Sequence, residues 1–137
     1  MSGLELYKSE KLCRKSEIEK LYAQGASIIA YPLRAVWVVV PSPDERHRVG
    51  ARFLISIPKK RIRHAVDRVL LRRRIRESYR LNRHLFCPIV KGRGKTVLVG
   101  FNWLATHTSD YATIERSMKE ILQNISTTIK DGENNEV

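Results

Sequence analysis

Residues 55–86 read ISIPKKRIRHAVDRVLLRRRIRESYRLNRHLF, and this stretch decides the fold. Apolar residues alternate at Val49, Ala51, Phe53, Ile55 and Ile57. That is the period of a strand with one buried face, and Pro58 ends it. A basic junction, Lys59-Lys60-Arg61-Ile62-Arg63, follows. From about His64 to Phe86 there is neither Gly nor Pro, which predicts the main helix. At 100° per residue, Arg68, Arg72, Arg76, Arg80 and Arg83 fall in one sector roughly 120° wide. Leu71, Ile75, Ser78, Leu81 and Leu85 lie on the other side, and Arg74 reaches out from the edge of that apolar sector. The five arginines make a line ~22 Å long at the rise of an α-helix.

Upstream, Ser16-x-x-Glu19 has the form of a capping box. Ile18, Leu21 and Tyr22 then share a helical face, and Gly25 closes it, so a helix is predicted over about 16–24. Leu33 to Val40 is β-branched and aromatic between Pro32 and Pro41, and reads as a strand. Ser42 to His47 is a polar turn, which makes the 49–57 strand an antiparallel partner of the first. Downstream, Lys91 to Lys95 is a basic loop and Thr96 to Phe101 a third strand. Thr108 or Ser109 can cap a last helix, whose core stripe is Tyr111, Ile114, Met118, Ile121, Leu122, Ile125 and Ile129. The fold class is α+β, a small mixed sheet packed with helices. One domain, 1–137, is expected, with flexible termini at 1–9 and 131–137.

The chain carries 26 Lys and Arg against 14 Asp and Glu, a net charge of +12. The excess is a block. Arg46 to Lys95 holds 17 basic residues and only two acids, Asp67 and Glu77, a net of +15, and the flanks are slightly acidic. A block of that size repels itself unless a polyanion meets it, and nucleic acid is the commonest such partner. Cys13 and Cys87 form no metal or redox spacing. The longest apolar run is too short for a bilayer, and the N-terminus lacks the apolar stretch of a signal peptide, so a cytoplasmic protein with no membrane partner is expected.

Arginine suits phosphate because its planar fork donates two hydrogen bonds and keeps its charge. Two acids in the block leave most of these arginines without an ion pair inside it. Tyr22 and Trp37 could lie together beside the basic surface, where exposed aromatics stack on unpaired bases. His47, His64, His84 and His107 are scattered, and no nucleophile–base or paired-carboxylate pattern occurs, so no catalytic residue is assigned. These features leave RNA and DNA both open, and a small structural RNA-binding protein of ribosomal type is the alternative to a role in cleavage.

Ile55-Ser56-Ile57-Pro58-Lys59-Lys60, Ala65-Val66-Asp67-Arg68 and Arg72-Arg73-Arg74-Ile75-Arg76-Glu77-Ser78-Tyr79-Arg80 together resemble the protein subunit of bacterial ribonuclease P. Leu12 to Gly25 is similar to that family's opening helix, and Arg48-Val49-Gly50 to its second main strand. One departure stands inside the motif. The family's Arg-Asn-Arg is here Arg68-Val69-Leu70, so two polar residues associated with RNA contact are missing. Ile18 and Tyr22 stand where the family usually carries two Phe.

The resemblance implies an α-β-β-β-α-β-α sandwich with a left-handed βαβ crossover. It implies a 1:1 complex with the ribonuclease P RNA, which with Mg2+ would remove the 5′ leader of precursor tRNA. Arg68, Arg72, Arg73, Arg76 and Arg80 would then dock on the RNA subunit. Ile18, Tyr22, Trp37, Ser56, Lys59 and Lys60 would hold the leader. No protein catalyst is needed, because metal-held water on the RNA can be the nucleophile.

Overall fold

The computed structural model describes residues 12, 15–41, 51–86 and 95–131. Helix α1 spans Lys15–Gln24, strand β1 Ala26–Ala30, β2 Leu33–Pro41 and β3 Ala51–Ser56. Helix α2 follows over Ala65–Asn82 and tightens into a 3-10 turn at Arg83–Leu85. Strand β4 spans Lys95–Trp103, and α3 spans Tyr111–Asp131. Expectations for 1–9, the Ser42–His47 turn, the start of the 49–57 strand, Cys13, Cys87, the basic loop before Lys95 and the tail after Asp131 lie outside the described residues, and Lys95 itself opens β4. Asp131 itself ends α3 rather than opening a tail.

The four strands lie in the order β1-β2-β4-β3. β2 pairs antiparallel with both β1 and β4, and β3 pairs parallel with β4. This corrects the expected hairpin between β2 and β3, because β4 enters between them. A parallel pair needs a long crossover, and α2 supplies it. β1, for which the local pattern predicts no strand, pairs through Ala26–Ala30 and supplies the extra strand that the resemblance implied.

Alternation along the strands gives the sheet two apolar faces. On one, Leu33, Ala35, Trp37, Phe53, Val97, Val99 and Phe101 meet α2 and α3. Helix α3 contributes Ile114, Met118, Ile121, Leu122, Ile125 and Ile129, the stripe its spacing predicted. Tyr79 of α2 is fully buried, with ring centroids 4.5 Å from Phe53, 5.7 Å from Phe101 and 6.5 Å from Phe86. On the other face, Leu12, Leu21, Val36 and Leu98 form a smaller cluster under α1. Gly25 lets the end of α1 approach β2, since a Cβ there would lie 2.7 Å from Val36 Cγ1 and against the Leu21 carbonyl.

Two predicted caps move. Helix α1 begins at Lys15, so Ser16 sits inside its first turn, and Glu17 of that turn pairs with Arg52 on β3 at 3.1 Å. Helix α3 is capped by Asp110, whose Oδ1 accepts the Thr113 N–H at 2.9 Å, rather than by Thr108 or Ser109. That bond holds the Asp110 carboxyl below its ordinary range. Burial and a hydrogen bond to Glu115 push the Tyr111 phenol up to about 12.

Candidate nucleic-acid interface

Helix α2 buries Leu71, Ile75, Ser78, Tyr79 and Asn82 and turns its arginines outward. They are not equivalent. Arg68 Nη1 donates to the Ile62 and Arg63 carbonyls at 2.8 and 2.9 Å, clamping the basic junction to the start of the helix. Arg72 Nη1 donates to the Ile55 carbonyl at 3.0 Å and ties the helix to the end of β3. Arg80 grips Glu77 through two bonds of 3.0 and 2.8 Å, which lowers the Glu77 carboxyl below its usual range. Arg73 and Arg76 are exposed and have no hydrogen-bond or ion-pair partner among the described residues.

Arg83 leaves the predicted line, and Arg74 keeps its predicted place at the edge of the apolar sector. Arg83 is buried, because the 3-10 turn after Asn82 breaks the helical phase. Arg74 reaches from the edge of the core to the Ser109 carbonyl, ahead of α3. Lys59, Lys60, Arg63 and His64 are exposed at the junction. Val66 and Val69, 74% and 55% exposed, place apolar surface beside the cations, and Val69 stands where the family's pattern is polar.

The second surface lies on the α1 face of the sheet. Strand register aligns Ile29, Arg34, Asn102 and Ser56 in one row across all four strands. Tyr22, 44% exposed on α1, reaches over this floor, and its hydroxyl donates to Asn102 Oδ1 at 3.1 Å. Ser56 ends β3 just before Lys59 and Lys60. Ile18 is half-buried among the residues under α1.

Trp37 does not join them. Odd-numbered residues of β2 point to the α2–α3 face, so Trp37 is buried there, and its Nε1 has no hydrogen-bond partner among the described residues. The expected pairing of Tyr22 with Trp37 is therefore corrected by strand parity. Sequence reading missed Arg34 and Asn102. Arg34 carried a signal, as the one cation in an otherwise apolar strand. Its side chain is half-buried and has no hydrogen-bond or ion-pair partner among the described residues.

Among the described residues, no three His, Cys, Asp or Glu side chains gather where a cation could sit. No helix of the described residues is long and apolar enough to cross a membrane. The arrangement offers two surfaces: a helix with guanidinium groups that have no partner among the described residues, and a sheet floor with one aromatic, one amide and one such arginine.

The profile of the family described as Ribonuclease P matches residues 6–126. The ribonuclease P protein component of Porphyromonas gingivalis strain W83 is 35% identical over 122 residues, covering 88% of this chain and 86% of that protein. Among solved structures, the Staphylococcus aureus RNase P protein aligns with a TM-score of 0.62 at 19% identity, over 86% of this chain and 96% of that one. The Thermotoga maritima RNase P protein aligns at 0.61 and 17%, over 84% and 96%.

Proposed function

Because this chain belongs to the ribonuclease P protein family, we propose that it binds the ribonuclease P RNA through α2 and the 5′ leader of precursor tRNA through the α1 face of the sheet. The observation that carries the reading is the pair Arg73 and Arg76, two exposed and uncommitted guanidinium groups one helical turn apart. They meet successive phosphates without first breaking an internal bond. Arg68, Arg72 and Arg80 already hold carbonyls or Glu77, so they shape this surface and contribute charge from its margin.

Lys59 and Lys60 sit at the junction of the two surfaces and draw the leader toward the sheet. There Tyr22 and Ser56 meet it, with Ile18 supporting the helix from below. Single-stranded RNA suits this floor because its bases are free to stack and its backbone needs only scattered cations. Trp37 is left out of the leader set, because it packs on the far face.

The role in cleavage is support. Among the described residues no cluster of three His, Cys, Asp or Glu side chains occurs, which supports placing the metal on the RNA. In this reading the RNA holds the Mg2+ and supplies the hydrolytic chemistry that removes the leader. The protein binds the leader and screens repulsion between two polyanions. The complex is 1:1 and cytoplasmic. Reconstitution tests the reading. Added to a cognate ribonuclease P RNA in low Mg2+, the folded protein should stimulate 5′ maturation of precursor tRNA. No gain over RNA alone would overturn it and favour a purely structural RNA-binding role.

A further inference from the structure

Among the described residues the sheet has one open edge. On the β3 side, the Leu12 N–H donates to the Phe53 carbonyl at 2.8 Å. On the other side lies β1, which pairs only with β2. One bond tells which backbone groups of β1 point outward. The Leu104 N–H donates to the Pro32 carbonyl at 2.9 Å, so the opposed residues Leu33 and Trp103 are joined through their neighbours and not through their own groups. Leu33 therefore turns its N–H and C=O away from β4, toward Ala30 of β1. Direction alternates along a strand, so Ala26, Ile28 and Ala30 bond to β2, while Ser27 and Ile29 aim N–H and C=O at the open edge. Those groups have no partner among the described residues. The next outward carbonyl, that of Tyr31, accepts the Ser117 hydroxyl of α3 at 2.9 Å, which ends the free stretch.

Proteins commonly guard such an edge with charge, proline or a bulge. β1 reads Ala-Ser-Ile-Ile-Ala, in unbroken register, and has none of these. Ile29 and Tyr31 beside the edge are 63% and 62% exposed. The free groups fit a second copy of themselves. In an antiparallel pair centred on Ile28, Ser27 faces Ile29 of the second copy and Ile29 faces its Ser27. Every outward N–H then meets an outward C=O, and none is left over. The charge of +12 opposes self-association in general, but this edge lies away from the cationic helix. Helix α2 packs over β3, and α3 packs over β1 and β2. β3 and its copy would end an eight-stranded sheet, seven strand spacings or ~34 Å apart. Arg34, the cation of β2, would lie three spacings or ~14 Å from its copy. Both separations exceed the Debye length of ~8 Å at physiological salt.

We propose that β1 is a self-association edge, through which two copies of the RNA-free protein join antiparallel about Ile28 into one eight-stranded sheet. The inference stands apart from the RNA-binding reading, since β1 holds no residue assigned to RNA.

The test is sedimentation equilibrium of the full chain, freed of RNA by nuclease so that no polyanion bridges two copies. The mass should rise toward twice that of the chain as protein concentration increases, and more so in higher salt, which screens the remaining repulsion. Ser27→Pro removes an outward N–H and leaves the bonds to β2 intact. It deletes one bond on each side of the two-fold axis, so the dissociation constant should rise at least about tenfold. Ile29→Lys puts a charge on the edge and should leave only monomer, whereas Ile29→Thr, uncharged and β-branched, should still dimerise. Melting temperatures confirm that each variant folds. Disulfide trapping reads the register without weakening the strand. A mixture of Ser27→Cys and Ile29→Cys chains should form a linked heterodimer faster than either variant alone, above the background from Cys13 and Cys87. Directly opposed residues lie ~5.5 Å apart, within disulfide reach.

A wild type that stays monomeric at every concentration overturns the proposal. So does a dimer that Ser27→Pro and Ile29→Lys leave intact, which would put the interface elsewhere. Mixed trapping no faster than that of the separate variants overturns it as well.

Discussion

Replacing Arg73 and Arg76 together by Ala tests the proposed docking of α2 on RNA. Both side chains are exposed and hold no internal partner among the described residues, so their loss should cost the fold little. Each phosphate contact contributes ~0.7–0.9 to the slope of log affinity against log salt. Two lost contacts should therefore flatten that slope by ~1.4–1.8. Raising salt from about 50 to about 200 mM then narrows the gap between wild type and variant about tenfold. Filter binding or fluorescence titration against the ribonuclease P RNA across that range reads the slope directly. Lys119→Ala with Lys130→Ala is the control. It removes the same charge from exposed positions on α3, so it should lower affinity slightly without changing the slope as much. An equal slope change in both double variants would refute local contact and leave only net charge. An unchanged slope for Arg73→Ala/Arg76→Ala would show that the exposed face of α2 points to solvent in the complex.

Other outcomes follow from the packing. Tyr79→Ala should destabilise by ~3–5 kcal/mol, read as a lower midpoint in urea, because it empties the site among Phe53, Phe86 and Phe101. Arg80→Ala should change the salt slope less than Arg76→Ala, since Arg80 is already bonded to Glu77. Asp110 has a depressed folded pKa, so its stabilising share is complete above its ordinary value near 3.8 and is lost as pH falls through the lower folded value. The Asp110→Asn variant, which keeps an acceptor at the cap, should therefore show a flatter fall of melting temperature in acid than wild type. Equal acid slopes would mean that other carboxylates carry the effect.

The parts of the fold that were legible in the sequence are those written in local periodicity. The α3 stripe needed only the 3.6-residue period, and α2 needed its arginines every fourth residue. Strand pairing was not legible. An apolar strand looks the same whether its neighbour is the next strand in the chain or one far downstream, so nothing local announced that β4 would part β2 from β3. Trp37 failed for a related reason. Its burial was readable, but its face depends on where α1 packs, which is a tertiary fact. The arginines show the opposite limit. Sequence placed Arg68, Arg72, Arg73, Arg76 and Arg80 on one side of a helix, but their carbonyl and carboxylate partners come from the junction, β3 and Glu77. Asn102 is meaningful only through Tyr22, 80 positions away in the chain.

The place of β4 also governs when the molecule can exist. Among the described residues, the last strand to leave the ribosome is an inner one, and β3 has no other partner in the sheet. A chain ending at Phe86 has already made every arginine of α2, yet has neither β4 nor α3 to cover the apolar side of that helix. It is a polycation before it is a structure. On the proposed function, its attraction to RNA at that stage should be indiscriminate, with selectivity arriving only with the final third of synthesis. A fragment of residues 1–86 should accordingly bind any RNA weakly and show no cooperative melting transition. A sharp transition in that fragment would mean that β3 and α2 find a stable arrangement without the strand that parts them from β2.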